Sequence, residues 1–207
     1  MPTRSETAIS HTSLTNHRIV ARPGEPYPAK AFRMTTASLP DLVYLDDSTG
    51  NASSLPLISR LKAYQQLKEQ NKAYKGLYDK TLNELAVSAP GDPTVQAALG
   101  HRAVTQQKWN EAADHLQRAV KLDPNQSGVY TDLSTVADAQ GNTAGAVGWQ
   151  QKAVAVDPHN ESLQKTLILR LINAKEYPEA QTDMERYVEE FPEDDRMREM
   201  LSIAKSQ

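Results

Sequence analysis

"AVKLDPNQ", residues 119–126, and "AVAVDPHN", residues 153–160, are one phrase written twice, 34 residues apart. "EEFPEDD", residues 189–195, continues it one interval later, so that Pro90, Pro124, Pro158 and Pro192 are evenly spaced. Other positions keep the same step. Ala112, Ala146 and Ala180 lie twelve residues ahead of the last three prolines, and Ala119 and Ala153 lie five ahead, with Tyr187 in the third place. Leu99-Gly100, Leu133-Ser134 and Leu167-Ile168 match one another earlier in each interval. A fixed period of this length marks one supersecondary unit stacked on copies of itself.

Within each unit apolar residues recur at three- and four-residue spacing, as a helix face requires. Small residues at the recurring Ala and Gly positions let two antiparallel helices approach closely. Each proline then ends a second helix, because it lacks an N–H and clashes with the preceding turn. In the unit 93–126, "TVQAALGHRAVTQQ" reads as the first helix and "NEAADHLQRAVKL" as the second. Gly141-Asn142 supplies a turn between the helices of the following unit.

This pattern resembles the tetratricopeptide repeat family, whose unit is a 34-residue helix–turn–helix. The resemblance implies an all-α solenoid with repeats at 93–126, 127–160 and 161–194. An irregular helical hairpin is expected at 57–92, because "LISRLKAYQQLKEQNKAYKGLYDKTLNELAVSA" is strongly helical while Gln66 and Tyr78 stand where small residues belong. At 195–207, "DRMREMLSIAKSQ" places Leu201 and Ser202 where units begin their tight contact. It reads as a lone capping helix that covers the apolar edge left by stacking and closes the array. Residues 1–56 are rich in Pro, Ser and Thr and lack periodicity. They read as an extended, mostly irregular arm.

Composition narrows the function. Apolar residues make up 39% and aromatics only 6%, which suits helices packed through small side chains. The net charge is −3 with both signs interspersed, which argues against the basic stripe of a nucleic-acid binder. No run of about 18 apolar residues could span a membrane. The absence of cysteine excludes disulfides, thiolate catalysis, zinc fingers and haem attachment within this chain. Nothing in 59–207 resembles a phosphate loop, a zinc-protease helix or a nucleophile elbow, so no catalytic residue is assigned and the chain is not expected to be an enzyme.

The family resemblance implies a groove lined by first helices that receives a protein or peptide partner. Carried onto this sequence, its groove positions fall on His101, Val104, Thr105, Thr131, Thr135, Asp138, Lys165, Leu169 and Ile172. Some family members clamp a partner's C-terminal carboxylate with lysine and asparagine. The corresponding places here hold Ala63, Leu67, Ala98, Gly128 and Asp132, so that clamp has no cations. His101 and His115 lie on different helices with no carboxylate set that would complete a metal site, and His159 reads as a turn residue. Asn51, Asn125 and Asn160 begin glycosylation-type triplets, a motif short enough to arise by chance.

The arm carries a second resemblance. "HTSLTNHRIVARPGEPYP", residues 11–28, is similar to the segment that links haem-attachment motifs to tetratricopeptide repeats in exported bacterial multihaem c-type cytochromes. The resemblance implies that His11 or His17 serves as a distal haem ligand. The chain itself would carry no cofactor, and haem c would belong to an upstream segment of a longer parent. The leading expectation is therefore a non-enzymatic interaction scaffold. The alternatives are the docking part of such a cytochrome and a self-assembling structural repeat. The cytochrome resemblance implies a periplasmic or extracellular setting, whereas the chain taken alone shows no export signal and would stay in the cytoplasm.

Overall fold

The structure is a computed structural model that describes residues 3–5, 13–15 and 55–205. The chain divides into two units, residues 1–52 and 53–207. In the first, β1 (Thr3–Ser5) and β2 (Ser13–Thr15) pair antiparallel, with Thr3 opposite Thr15 and Ser5 opposite Ser13. In the second, the described residues form α1 (Leu57–Gln70), α2 (Lys75–Ser88), α3 (Pro93–Thr105), α4 (Trp109–Leu122), α5 (Ser127–Ala139), α6 (Thr143–Val156), α7 (Glu161–Asn173), α8 (Tyr177–Glu190) and α9 (Asp195–Lys205). The architecture is an all-α solenoid of successive antiparallel hairpins. Among the described residues, no helix is long and apolar enough to cross a membrane.

The repeated prolines act as the sequence implies. The helices α2, α4, α6 and α8 each stop two residues short of one, because a proline ring disfavours helical backbone in the residue before it. Ala89, Asp123, Asp157 and Phe191, the residues in that place, have left the helical region, with φ between −147° and −123°. A side-chain cap starts the next helix in three of the four cases, α5 being the exception. Asp92 Oδ1 accepts from Thr94 N and Val95 N at 2.8 and 3.2 Å, with Pro93 at the first helical position. Asn160 Oδ1 accepts from Leu163 N at 3.2 Å in the same way.

The turns inside the hairpins also repeat at the same step. Gln107, Gly141 and Lys175 take positive φ values of 57°, 76° and 63°. The residue after each donates its N–H back across the turn, to Ala103 O, Ala137 O and Leu171 O, at 2.9 Å in every case. This is the left-handed helix cap that satisfies otherwise orphaned carbonyls. Only one of the three positions is the glycine that such a backbone favours.

Ala112, Ala146 and Ala180 are all but fully buried, in the walls between paired helices. Opposite them the hairpins differ. At Gly100 an added Cβ would lie 2.6 Å from Leu116 Cδ2, so the two helices touch there. Ser134 is fully buried, and its hydroxyl donates to Ala146 O at 2.7 Å. Ile168 fills the third equivalent place and packs with Leu171, Met184 and Tyr187.

The hairpin α1–α2 is built on aromatics instead. Gln66 is exposed rather than in a tight contact, and Tyr64, Tyr74 and Tyr78 are buried. A 3₁₀ turn at Lys72–Tyr74 joins the helices, started by Asn71, whose side chain accepts from Ala73 N. Tyr64 and Tyr74 stack at 6.5 Å, and Lys68 Nζ lies 4.2 Å from the Tyr78 ring centroid. At the far end Met197 and Leu201 of α9 are buried against the last hairpin, while Ser202 is exposed. One helical turn thus makes the contact that was expected to extend through Ser202.

Candidate functional site

Stacking the hairpins sets α3 beside α5, with their short side chains facing a concave depression of about 390 Å³. Ala97, Ala98, Gly128, Val129 and Leu163 form its apolar lining, and Gln65 of α1 reaches its edge. Thr94, His101, Gln126, Thr131 and Asp132 supply the polar groups. Gly128 leaves the space open, since a Cβ built there would meet nothing within 4 Å.

Across this depression His101 Nδ1 lies 2.9 Å from Asp132 Oδ2. A carboxylate only accepts, so Nδ1 carries the proton and donates. That hydrogen bond raises the His101 pKa above its ordinary value, against the opposing effect of burial. The pair stays accessible, with 39% of the His101 side chain and 18% of the Asp132 side chain exposed.

A second bridge joins α5 to α7. Arg170 Nη2 donates to Thr135 Oγ1 at 3.4 Å, and Nη1 pairs with the Asp138 carboxylate. At the end of the array Lys165 Nζ lies 2.6 Å from Glu161 Oε1 and 2.7 Å from Asp194 Oδ2. Asp194, chiefly through Lys165, falls to about 2, and the same contacts make the Lys165 amine more basic than usual. The Tyr187 hydroxyl, 2.9 Å from Asp194 Oδ2, is pushed up to about 12, first by burial.

The positions carried over from the family therefore separate. His101 and Thr131 line the depression. Asp138 and Lys165 are committed to ion pairs within the fold. Thr135 donates to Thr131 O and receives Arg170, and Thr105 donates to Arg102 O. Val104 and Ile172 are half-buried against the core clusters, whereas Leu169 is 52% exposed. Sequence reasoning missed Gln65, Thr94, Ala97, Gln126, Val129 and Leu163 as lining residues, and Arg170 as the bridge. It named Asp132 only as a place without a clamp cation.

A signal for the bridges was present. His101–Asp132 and His159–Glu190 are both 31 residues apart, at 2.9 and 2.8 Å, and Thr135–Arg170 are 35 apart. Spacings slightly off the period bring neighbouring units into reach, as i, i+3 does within a helix.

Of the other histidines, His115 Nδ1 lies 2.8 Å from Gln96 Oε1, and burial lowers its pKa. His11 and His17 lie outside the described residues. Among the described residues, no three His, Cys, Asp or Glu side chains gather as a metal ion would need. The depression offers a small apolar lining with hydroxyl, amide, imidazole and carboxylate groups around it.

The tetratricopeptide repeat family model matches residues 97–161, which span α3 to α6. No curated protein sequence matches the chain significantly. Among solved structures, it is similar to the Cut9–Hcn1 hetero-tetramer of the APC/C, with a TM-score of 0.59 and 16% identity over 72% of this chain. The match spans only 29% of that chain's length. The MamA protein matches with a TM-score of 0.57 and 17% identity, over 72% of this chain and 81% of that one. A thermophilic TPR protein of Thermus thermophilus matches with a TM-score of 0.52 and 14% identity, over 73% and 91%. At these identities the likeness is one of fold.

Proposed function

We propose that these tetratricopeptide repeats form a non-enzymatic scaffold, and that the depression between α3 and α5 receives a segment of a protein partner. The observation that carries this reading is the depression itself. It is about 390 Å³ in volume, kept open by Ala97, Ala98 and Gly128, with hydrogen-bonding groups on its lining. Concave sites of this size with a few placed polar groups are where proteins bind ligands. Bound side chains would pack on Val129 and Leu163, while Gln65, Thr94 and Thr131 would pair with backbone or polar groups of the segment.

Selection from a library of random peptides displayed on phage tests it. Gly128→Trp would fill the depression from a position with no neighbour within 4 Å, leaving the fold intact. Gln117→Trp, on the exposed surface of α4, is the control. The expected result is a set of selected peptides whose binding Gly128→Trp abolishes and Gln117→Trp spares. Binders indifferent to Gly128→Trp, or no binders at all, would overturn it.

A further inference from the structure

We infer that the α3–α5 depression selects a segment presenting a lysine or arginine side chain to Asp132, and that protonation of His101 releases it. This rests on the scaffold reading and adds the chemistry of the partner. Among the described residues lining the depression, His101 and Asp132 are the only ionisable side chains, and no lysine or arginine is present. Among the described residues of that surface, Asp132 is thus the one acidic group. It gives only Oδ2 to His101, and a carboxylate has about four acceptor positions. A guanidinium or ammonium entering the depression meets an acceptor already held in place, the arrangement that makes charge-assisted hydrogen bonds strong.

The charges facing His101 from its neighbours do not alter the sign. On α1, Lys68 and Glu69 act on it in opposite directions and lie 3.7 Å from one another, with Lys68 Nζ over the Tyr78 ring. On α5 the charge is Asp132. The imidazole with its Nδ1 proton is neutral and leaves the pair with one net negative charge. Adding a proton to Nε2 makes the pair neutral and sets a positive N–H beside the place where the partner's cation would sit. Cation and proton therefore compete, and by linkage each weakens the other's binding by the same factor. The raised His101 pKa brings this competition toward neutral pH, where histidine acts as a switch.

The test uses the full chain and peptides selected from a random library at alkaline pH, which favours the neutral imidazole. Groove-bound peptides, defined by their loss with Gly128→Trp, are expected to share a lysine or arginine. Replacing that residue by norleucine removes most of the affinity. Binding is expected to weaken about tenfold on going to about pH 5.5, since proton and cation compete. His101→Gln keeps an N–H donor for Asp132, and should retain binding while losing the pH dependence. Asp132→Asn should lose the preference for a basic residue. Groove-bound peptides without a basic residue, or a pH dependence that survives His101→Gln, would overturn this inference and leave the scaffold reading standing. Peptides that bind regardless of Gly128→Trp would overturn both.

Discussion

The hairpins α3–α4 and α7–α8 occupy the same register two intervals apart, yet they close in different ways. In the first, Gly100 meets Leu116 and Ala119 is buried, and the backbones run close together. In the second, Ile168, Met184 and Tyr187 stand in those three places, and the helices sit farther apart. A repeat register fixes where helices meet, while the volume at each meeting place sets how closely. The larger spacing has a consequence. Tyr187 is fully buried yet long enough for its hydroxyl to reach Glu161 and Asp194, next to Lys165. The last hairpin is thereby tied to the turn before the capping helix.

The sharpest way to break this contrast is Tyr187→Ala. Removing a large, fully buried aromatic from the last hairpin should cost about 3–5 kcal/mol in chemical denaturation. A loss below about 1 kcal/mol would mean that the hairpin closes without it. Next come the alanines that both kinds of hairpin share. Ala112→Leu and Ala180→Leu should each cost about 1–3 kcal/mol by overpacking, with the tighter α3–α4 pair affected more. Equal melting temperatures for wild type and variants would contradict the register.

The turn positions should respond in opposite directions. Gly141→Ala puts a Cβ on a left-handed residue and should cost about 1 kcal/mol. Lys175→Gly relieves the same strain in the last hairpin and should gain about 0.5 kcal/mol or more in thermal denaturation. A loss of stability on Lys175→Gly would show that the turn tolerates its side chain better than its backbone implies.

The smallest effect concerns the two bridges across the groove. The α5–α7 bridge joins Arg170 to Asp138 and Thr135 and contains no histidine. The α3–α5 bridge is titratable. His101 has a raised pKa in the folded chain, so its stabilising effect is complete below the unfolded value of 6.5. It is lost as pH rises through the folded value. The melting-temperature advantage of wild type over His101→Ala should therefore shrink toward alkaline pH. An advantage that grows with pH would reverse the sign assigned to the bridge.

Much of the fold was legible because its period is written in residues whose backbone chemistry is strict. The prolines mark helix ends, and the alanines mark close approaches. The turns were only partly legible, since Gly141 announces a left-handed residue while Gln107 and Lys175 adopt one under the pressure of the same geometry. The aromatic hairpin at 57–88 hid its packing because a buried tyrosine, Tyr78, stands at the register place that Ala112, Ala146 and Ala180 fill in the other hairpins. Groove positions were legible as faces of first helices but not as partners. Asp138 and Lys165 look free in sequence and are held by Arg170 and Asp194, residues that only the stacking brings near.

The most direct test of the groove as the binding surface is a methyl and amide NMR map of the chain with a selected peptide bound. Shifts should concentrate on 94–101 and 126–132, including the Ala97, Val129 and Thr131 methyl groups. Shifts concentrated on the exposed faces of α4, α6 and α8, with those methyls unmoved, would contradict it.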